Sequence, residues 1–187
     1  MKTSAERLGS EATAVTDPGG PVVVLVGAMG AGKTSVAQAL SPILELPVRD
    51  TDYDIEAAAG RSIPDIFVTD GEPAFRALER AAVAAALAEH RGILALGGGA
   101  VLAEETRALL KGHHVVHLLV SMPQGVRRTG LNTSRPLLAG VNPRATYKAL
   151  LAARLPIYRS VAEIEFDTND LTVDEVSERI AAWVRSR

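Results

Sequence analysis

The chain has 187 residues, 47 % of them hydrophobic and 22 % charged, with 20 Lys+Arg against 22 Asp+Glu and a net charge of -2. That is the size and balance of one soluble domain with a sizeable core, and it argues against a general binder of nucleic acid or of membrane surfaces. The absence of cysteine excludes disulfides, thiolate catalysis and Cys-ligated zinc and fits a reducing cytoplasm, while 4 % aromatic residues leave little for a base-stacking platform.

In chain order, residues 1–20 are polar, lack the apolar run of a signal peptide and carry Glu6, Glu11 and Asp17, so they are predicted to be a disordered tail. The run Pro21–Val26 reads as a strand buried on both faces. A helix is predicted over Thr34–Leu44, a short strand over Pro47–Asp50, and helices over Asp52–Ala59, Ser62–Phe67 and the alanine-rich Glu72–His90. Gly92–Leu96 reads as a strand ending in Gly97-Gly98-Gly99, followed by a helix over Ala103–Lys111, a strand over Val115–Val120 and a short helix over Pro123–Thr129. Residues 132–142 have no period and are predicted to form a mobile loop, and the chain closes with helix Arg144–Tyr158, strand Ala162–Asp167 and helix Val173–Arg185. Alternating strands and helices predict an α/β fold with a parallel sheet covered by helices.

Gly27–Thr34 (GAMGAGKT) matches G-x-x-x-x-G-K-[ST] between an apolar strand and a helix. Glycines allow backbone N–H groups to turn onto phosphate oxygens, the helix N-terminus adds its dipole, Lys33 can reach the β- and γ-phosphates, and the Thr34 hydroxyl can hold Mg²⁺. The motif predicts a nucleoside triphosphate. A GTPase would carry N-K-x-D, which the chain lacks, and a motor would end its second apolar strand in an acid rather than in glycines. A small-molecule kinase remains.

On the acceptor side, Asp50 and Asp52 flank Thr51 at a strand end, where open α/β sheets place their ligands. Read as an extended segment, the two carboxylates point to the same side, one for the Mg²⁺ shell and one for a hydroxyl; the plainer alternative has Thr51 or Asp52 capping the next helix. Arg76 and Glu79 stand i, i+3 apart, either as a surface pair or as an arginine oriented to grip an anionic group. Gly97–Gly99 is a tight turn or a place where ligand meets bare backbone. Arg127, Arg128 and Arg135 flank the irregular loop, as a lid over phosphates or as a solvated basic loop. Spacing does not decide whether Arg154 or Arg159 faces the cleft. His90, His113, His114 and His117 lack metal-site spacing.

Taken together, these segments resemble the shikimate kinases. The resemblance runs from about Pro21 to Arg187 through the P-loop, the D-T-D triplet, GRSIPDIFVTDGEPAFRALE (60–79), LGGGAV (96–101), RRTG (127–130), NTSRPLL (132–138) and ARLPIYR (153–159). It implies a three-layer P-loop kinase fold with a five-stranded parallel sheet of order 2-3-1-4-5, in a single domain over 21–187. Within that domain it implies a substrate-binding segment over about 51–92 and a lid over about 129–142. It also implies ATP-dependent phosphorylation of the shikimate 3-hydroxyl, with Mg²⁺, by a cytoplasmic monomer that engages neither nucleic acid nor membrane. Carried over by position, Gly30, Ala31, Gly32, Lys33, Thr34 and Ser35 bind ATP, with Arg128 against the adenine and Arg135 on the transferred phosphate. Thr34, and Asp50 through water, serve the metal. Asp52 binds the shikimate hydroxyls and is the candidate base, so the catalytic set is Asp52, Lys33 and Arg135. Arg76 and Arg154 hold the shikimate carboxylate, Glu79 orients Arg76, Gly97, Gly98 and Gly99 approach the ring, and Phe67 and Phe75 form its apolar wall. Two departures stand out: the P-loop ends Thr34-Ser35 rather than Ser-Thr, and Asn169–Thr172 lacks the basic residue and proline of some relatives. The near-zero net charge then conceals a cleft where Lys33, Arg76, Arg128, Arg135 and Arg154 converge, balanced by acids elsewhere. The rivals are a kinase for another polyol such as gluconate, and a nucleotide-binding regulatory module without catalysis.

Overall fold

The structure, a computed structural model, describes residues 19–130 and 142–187. The Val-rich run after Pro21 forms β1 (Val23–Val26), whose four residues are all buried, as a strand with neighbours on both sides and helices above and below requires. Strand pairing starts later than the apolar run because Pro21 has no N–H to give; Val22 is the first residue to bond across, to the Gly92 carbonyl. The same logic trims the second strand to β2 (Val48–Asp50), with Pro47 contributing only its carbonyl, to the Ile93 N–H.

The remaining strands are β3 (Ile93–Ala95), β4 (Val115–Leu119) and β5 (Ile164–Asp167). All neighbours pair in parallel, in the order β2-β3-β1-β4-β5, which is the expected topology. Between them lie α1 (Lys33–Leu44), α2 (Thr51–Ala59), α3 (Ile63–Thr69), α4 (Gly71–Glu89), α5 (Glu104–Leu109), α6 (Met122–Thr129), α7 (Pro143–Val161) and α8 (Val173–Arg185). Two helical expectations shift. The helix predicted over 103–111 is the shorter α5, and a 3-10 turn at Ala100–Leu102 that was not expected precedes it. Helix α7 extends at both ends, because Asn142 caps it through its side chain and Pro143 occupies the first turn, where no N–H is needed. The tail predicted over 1–20 lies outside the described residues except for Gly19 and Gly20, and Gly20 is packed against His113 and the Leu87 carbonyl.

The main core joins β1, β3 and β4 to Val36, Ala37 and Leu40 of α1, Val83, Ala86 and Leu87 of α4, Tyr158 of α7, and Val176 and Ile180 of α8. A satellite cluster of Ile55, Ile66 and Phe75 welds α2, α3 and α4 together. Each fully buried Val, Leu or Ile contributes about 1.5–3 kcal/mol relative to exposure, so both clusters are firm enough to carry a site. β1 sits where the chain order reverses: the strand after it in sequence lies on one side and β4 on the other. In open α/β sheets the ligand crevice opens at that switch point, beyond the strand C-termini. Among the described residues no helix is long and apolar enough to cross a membrane.

Candidate active site

Two clefts open there, of about 390 and 380 Å³, ordinary sizes for small-ligand sites. The first is lined by the P-loop and its surroundings: Gly30, Ala31, Gly32, Lys33, Thr34 and Ser35, with Arg128, Thr168, Leu171 and Val173 opposite. Gly32 caps α1 at φ 90°, a left-handed conformation that glycine adopts without strain. No side chain caps α1, so its first N–H groups and dipole face the cleft, the arrangement that suits a phosphate. Lys33 Nζ donates to the Gly27 and Ala28 carbonyls at 2.8 and 3.2 Å. Arg128 is fixed by donating to the Thr168 carbonyl (2.6 Å) and hydroxyl (2.9 Å), which pins it between the P-loop and the turn after β5.

The second cleft is lined by Asp52, Phe67, Phe75, Arg76, Glu79, Gly98, Gly99 and Arg154. The Phe67 and Phe75 rings meet at 4.6 Å between centroids and form an apolar wall. Arg76 is held from two sides: Nη1 donates to Glu79 Oε2 at 2.6 Å, and Nε and Nη2 donate to Glu72 Oε1 at 3.2 and 3.0 Å. Glu79 is 3 % exposed, so this is no surface pair. Burial pushes the Glu79 carboxyl up from its ordinary value, against the Arg76 charge that pulls it down. The geometry also separates two candidates that spacing left equal. Arg154 is 6 % exposed and lines the cleft, whereas Arg159 is an exposed partner of Glu165 at 2.9 Å.

The clefts meet along a seam. Met29, Thr34, Asp50, Asp52 and Gly98 line both. Here the D-T-D triplet departs from expectation. Asp50 ends β2 and is itself the cap of α2: its Oδ1 accepts from the Asp52 N–H at 3.0 Å, and its Oδ2 accepts from the Thr34 hydroxyl at 2.8 Å. Asp52 therefore sits in the first turn of a helix, not on an extended segment, and neither it nor Thr51 is the cap. Thr51 is fully buried and accepts the Gly97 N–H at 3.1 Å, tying the triplet to the glycine turn. Burial raises the Asp52 carboxyl to about 6, with the nearby Asp50 charge adding to the rise and Lys33 opposing it. A carboxylate poised close to neutrality between two clefts is equipped to accept a proton.

The three glycines divide. A Cβ on Gly97 would lie 2.6 Å from Asp52 Oδ1 and 2.9 Å from Glu79 Oε1, and one on Gly99 would overlap the Arg76 guanidinium. Those two make room for the site's own side chains. Gly98 lines both clefts, and a Cβ there would meet nothing closer than 3.5 Å. The charge picture also changes. Asp50, Asp52, Glu56 and Glu79 share the second cleft with Arg76 and Arg154, so acids lie within the site as well as elsewhere. Sequence reasoning passed over Glu72, whose i, i+4 spacing to Arg76 was a usable signal, and Tyr53 and Ile63, which line the cleft without any pattern to mark them. Arg135 and positions 131–141 of the expected lid lie outside the described residues; Thr129 ends α6 and Asn142 caps α7.

The family model for shikimate kinase matches residues 29–185. The chain belongs to the shikimate kinase family. It is 58 % identical over 166 residues to a shikimate kinase of Saccharopolyspora erythraea, covering 87 % of this chain and 95 % of that one. To one of Salinispora tropica it is 57 % identical, covering 89 % and 99 %. A solved structure of shikimate kinase from Acinetobacter baumannii in complex with shikimate superposes with a TM-score of 0.84 at 35 % identity, over 88 % of this chain and 92 % of that chain.

Proposed function

We propose that the chain is a shikimate kinase: it transfers the γ-phosphoryl group of ATP to the 3-hydroxyl of shikimate, giving shikimate 3-phosphate and ADP, a step towards chorismate and the aromatic amino acids. The observation that carries this reading is the seam. A phosphate-binding loop and a cleft lined by the buried Arg154 and the half-buried Arg76 meet where Asp52 stands. Phosphoryl transfer asks little covalent chemistry of a protein; it asks for alignment and for charge to be met where it develops.

In this reading Gly30–Ser35 and Lys33 hold the β- and γ-phosphates, and Arg128 with Leu171 and Val173 lies beside the base. Arg76 and Arg154 grip the shikimate carboxylate, Phe67 and Phe75 back the ring, and Gly97–Gly99 bring backbone up to it. Asp52 then receives the proton of the 3-hydroxyl as that oxygen attacks phosphorus and ADP leaves. Arg135 is assigned to the transferred phosphate. Thr34 and Asp50 suit Mg²⁺, since a hydroxyl and a carboxylate already 2.8 Å apart are hard oxygen donors of the kind that hold it together with substrate phosphates. When bound, the ion neutralises phosphate charge.

Residues 21–187 are assigned to one working domain. Both clefts are built within one chain, which supports a monomer, and the absence of cysteine supports the cytoplasm; the charge of -2 gives no footing to nucleic acid or membrane. The deciding experiment measures ADP release with shikimate, with gluconate and with no acceptor. Release that depends on shikimate alone supports the reading. Release that is indifferent to acceptor would overturn the reading, no release despite bound nucleotide would favour the regulatory module, and gluconate dependence would favour the other polyol.

A further inference from the structure

Helix α7 carries two buried tyrosines that none of the chemistry above uses. Tyr147 and Tyr158 are each 1 % exposed. They stand eleven residues apart, three full turns, so they share a face and lie about 16 Å apart along the axis. Each hydroxyl donates to the backbone of a different ligand loop. Tyr147 reaches the Met29 carbonyl in the P-loop at 2.7 Å, and Tyr158 reaches the Gly98 carbonyl in the glycine turn at 2.5 Å. The two loops abut, since a Cβ on Gly98 would stand 3.5 Å from the Met29 nitrogen. Arg154, on the same helix face, points its Nη1 at the same Gly98 carbonyl from 3.4 Å.

Both tethers are backed. The Tyr158 ring stacks on His117 at 5.0 Å, His117 Nδ1 is 2.7 Å from Glu165, and Glu165 is gripped by Arg159. Burial pushes the Tyr158 phenol up to about 12, so it remains a donor across the working range. On the other side, a Cβ on Gly125 in α6 would collide with the Tyr147 hydroxyl. A glycine inside a helix costs about 1 kcal/mol relative to alanine, and here it opens the path by which Tyr147 reaches Met29.

We propose that Tyr147 and Tyr158 are positioning residues for phosphoryl transfer: helix α7 acts as a bar that holds the phosphate-side loop and the acceptor-side turn at a fixed separation. This rests on the shikimate kinase reading. Loosening either end leaves the substrate contacts in place but blurs the distance between donor and acceptor, and misplacement by about 1 Å can cost roughly 100-fold in rate.

The test uses the full chain and measures kcat and KM for both substrates by shikimate-dependent ADP release, with urea unfolding run in parallel. Tyr158→Phe and Tyr147→Phe each remove one oxygen. Each is expected to lower kcat by about tenfold or more while both KM values move by less than about threefold. Gly125→Ala, which raises helix propensity but displaces the Tyr147 hydroxyl, is expected to reproduce the Tyr147→Phe loss. Ser41→Ala is the control: its hydroxyl bonds the Leu46 carbonyl at 2.7 Å at the far end of α1, and its loss should lower the urea midpoint without touching kcat. Tyrosine variants that lose stability like the control but keep wild-type kcat overturn the proposal, as does a rise in KM at unchanged kcat. If Tyr158→Phe does not fold, the Tyr147→Phe and Gly125→Ala pair decides. A wild-type chain without shikimate-dependent turnover would instead overturn the reading of function.

Discussion

Asp52 shows how much one carboxylate depends on its address. It stands in the first turn of α2, beside the charge of Asp50 and under the glycine turn, and its carboxyl rises to about 6. The free enzyme's kcat/KM is therefore expected to fall on the acid side with an apparent value near 6, and the Asp52→Asn variant to lose about 10²–10⁴-fold in kcat while still binding ADP. The same group sets a stability signature. A carboxyl whose folded value lies above its unfolded one contributes stability below the unfolded value, and that contribution is lost as pH rises through the folded value. Asp52→Asn should thus gain more in urea midpoint over wild type at pH 8 than at pH 4. An equal difference at both pH values would mean that the charge is not strained. Arg76 gives the converse case. Arg76→Met removes charge-assisted bonds of about 1.5–3 kcal/mol, so KM for shikimate should rise roughly 10- to 100-fold. Because Glu79 is left buried without its partner, the variant should be more destabilised at pH 8 than at pH 5, where Glu79 can take up a proton. An unchanged KM would remove Arg76 from the carboxylate site. The residue types at these positions were legible in the sequence, since the Arg–Glu spacing and the D-T-D triplet name themselves. What the sequence withheld was burial, which turns an i, i+3 pair worth little on a surface into a fixed clamp.

At the scale of elements, a strand start or a cap follows from one residue's chemistry, but which residue acts follows from its neighbours. The P-loop strand and the order of elements could be read from apolar runs and punctuation. The cap of α2 could not, because three adjacent residues, Asp50, Thr51 and Asp52, are all competent. Register with Thr34 and Gly97 sorts them: Asp50 caps, Thr51 ties the glycine turn, and Asp52 is released to the cleft. Likewise the sequence treated three glycines as one unit, a tight turn or a place where ligand meets bare backbone, whereas packing divides them. Gly98→Ala is expected to leave stability within about 0.5 kcal/mol of wild type, since its Cβ would meet only ordinary contacts. It should nevertheless raise KM for shikimate about tenfold or more if the ring lies against it, an overpacking cost of about 1–3 kcal/mol. Gly99→Ala should instead mimic Arg76→Met, by displacing the guanidinium. A Gly98→Ala enzyme with normal KM would place the ring elsewhere in the cleft.

At the scale of the whole molecule, the site exists because β1 lies at the switch point and two separate cores, one under the P-loop and one under α2–α4, meet there. Net charge said little about this, since the second cleft holds Asp50, Asp52, Glu56 and Glu79 as well as Arg76 and Arg154. Its selectivity comes from where charges are fixed rather than from their sum. The consequence is thermodynamic. Phe67, Phe75, Arg76, Glu79 and Arg154 are held in place by the protein's own contacts, in the satellite core and in the Arg76–Glu79 pair. Shikimate should therefore bind without nucleotide and stabilise the fold by mass action, by about 2.7 kcal/mol at a hundred times its Kd. For a chain of this length that corresponds to a rise in Tm of roughly 5 to 10 °C. Arg76→Met should cut the shift at the same shikimate concentration to about half or less and leave the shift with ADP intact, because Arg76 lines only the acceptor cleft. A shikimate shift that appears only once ADP is present would mean that the nucleotide assembles the acceptor cleft, and that the clamp around Arg76 is not sufficient by itself.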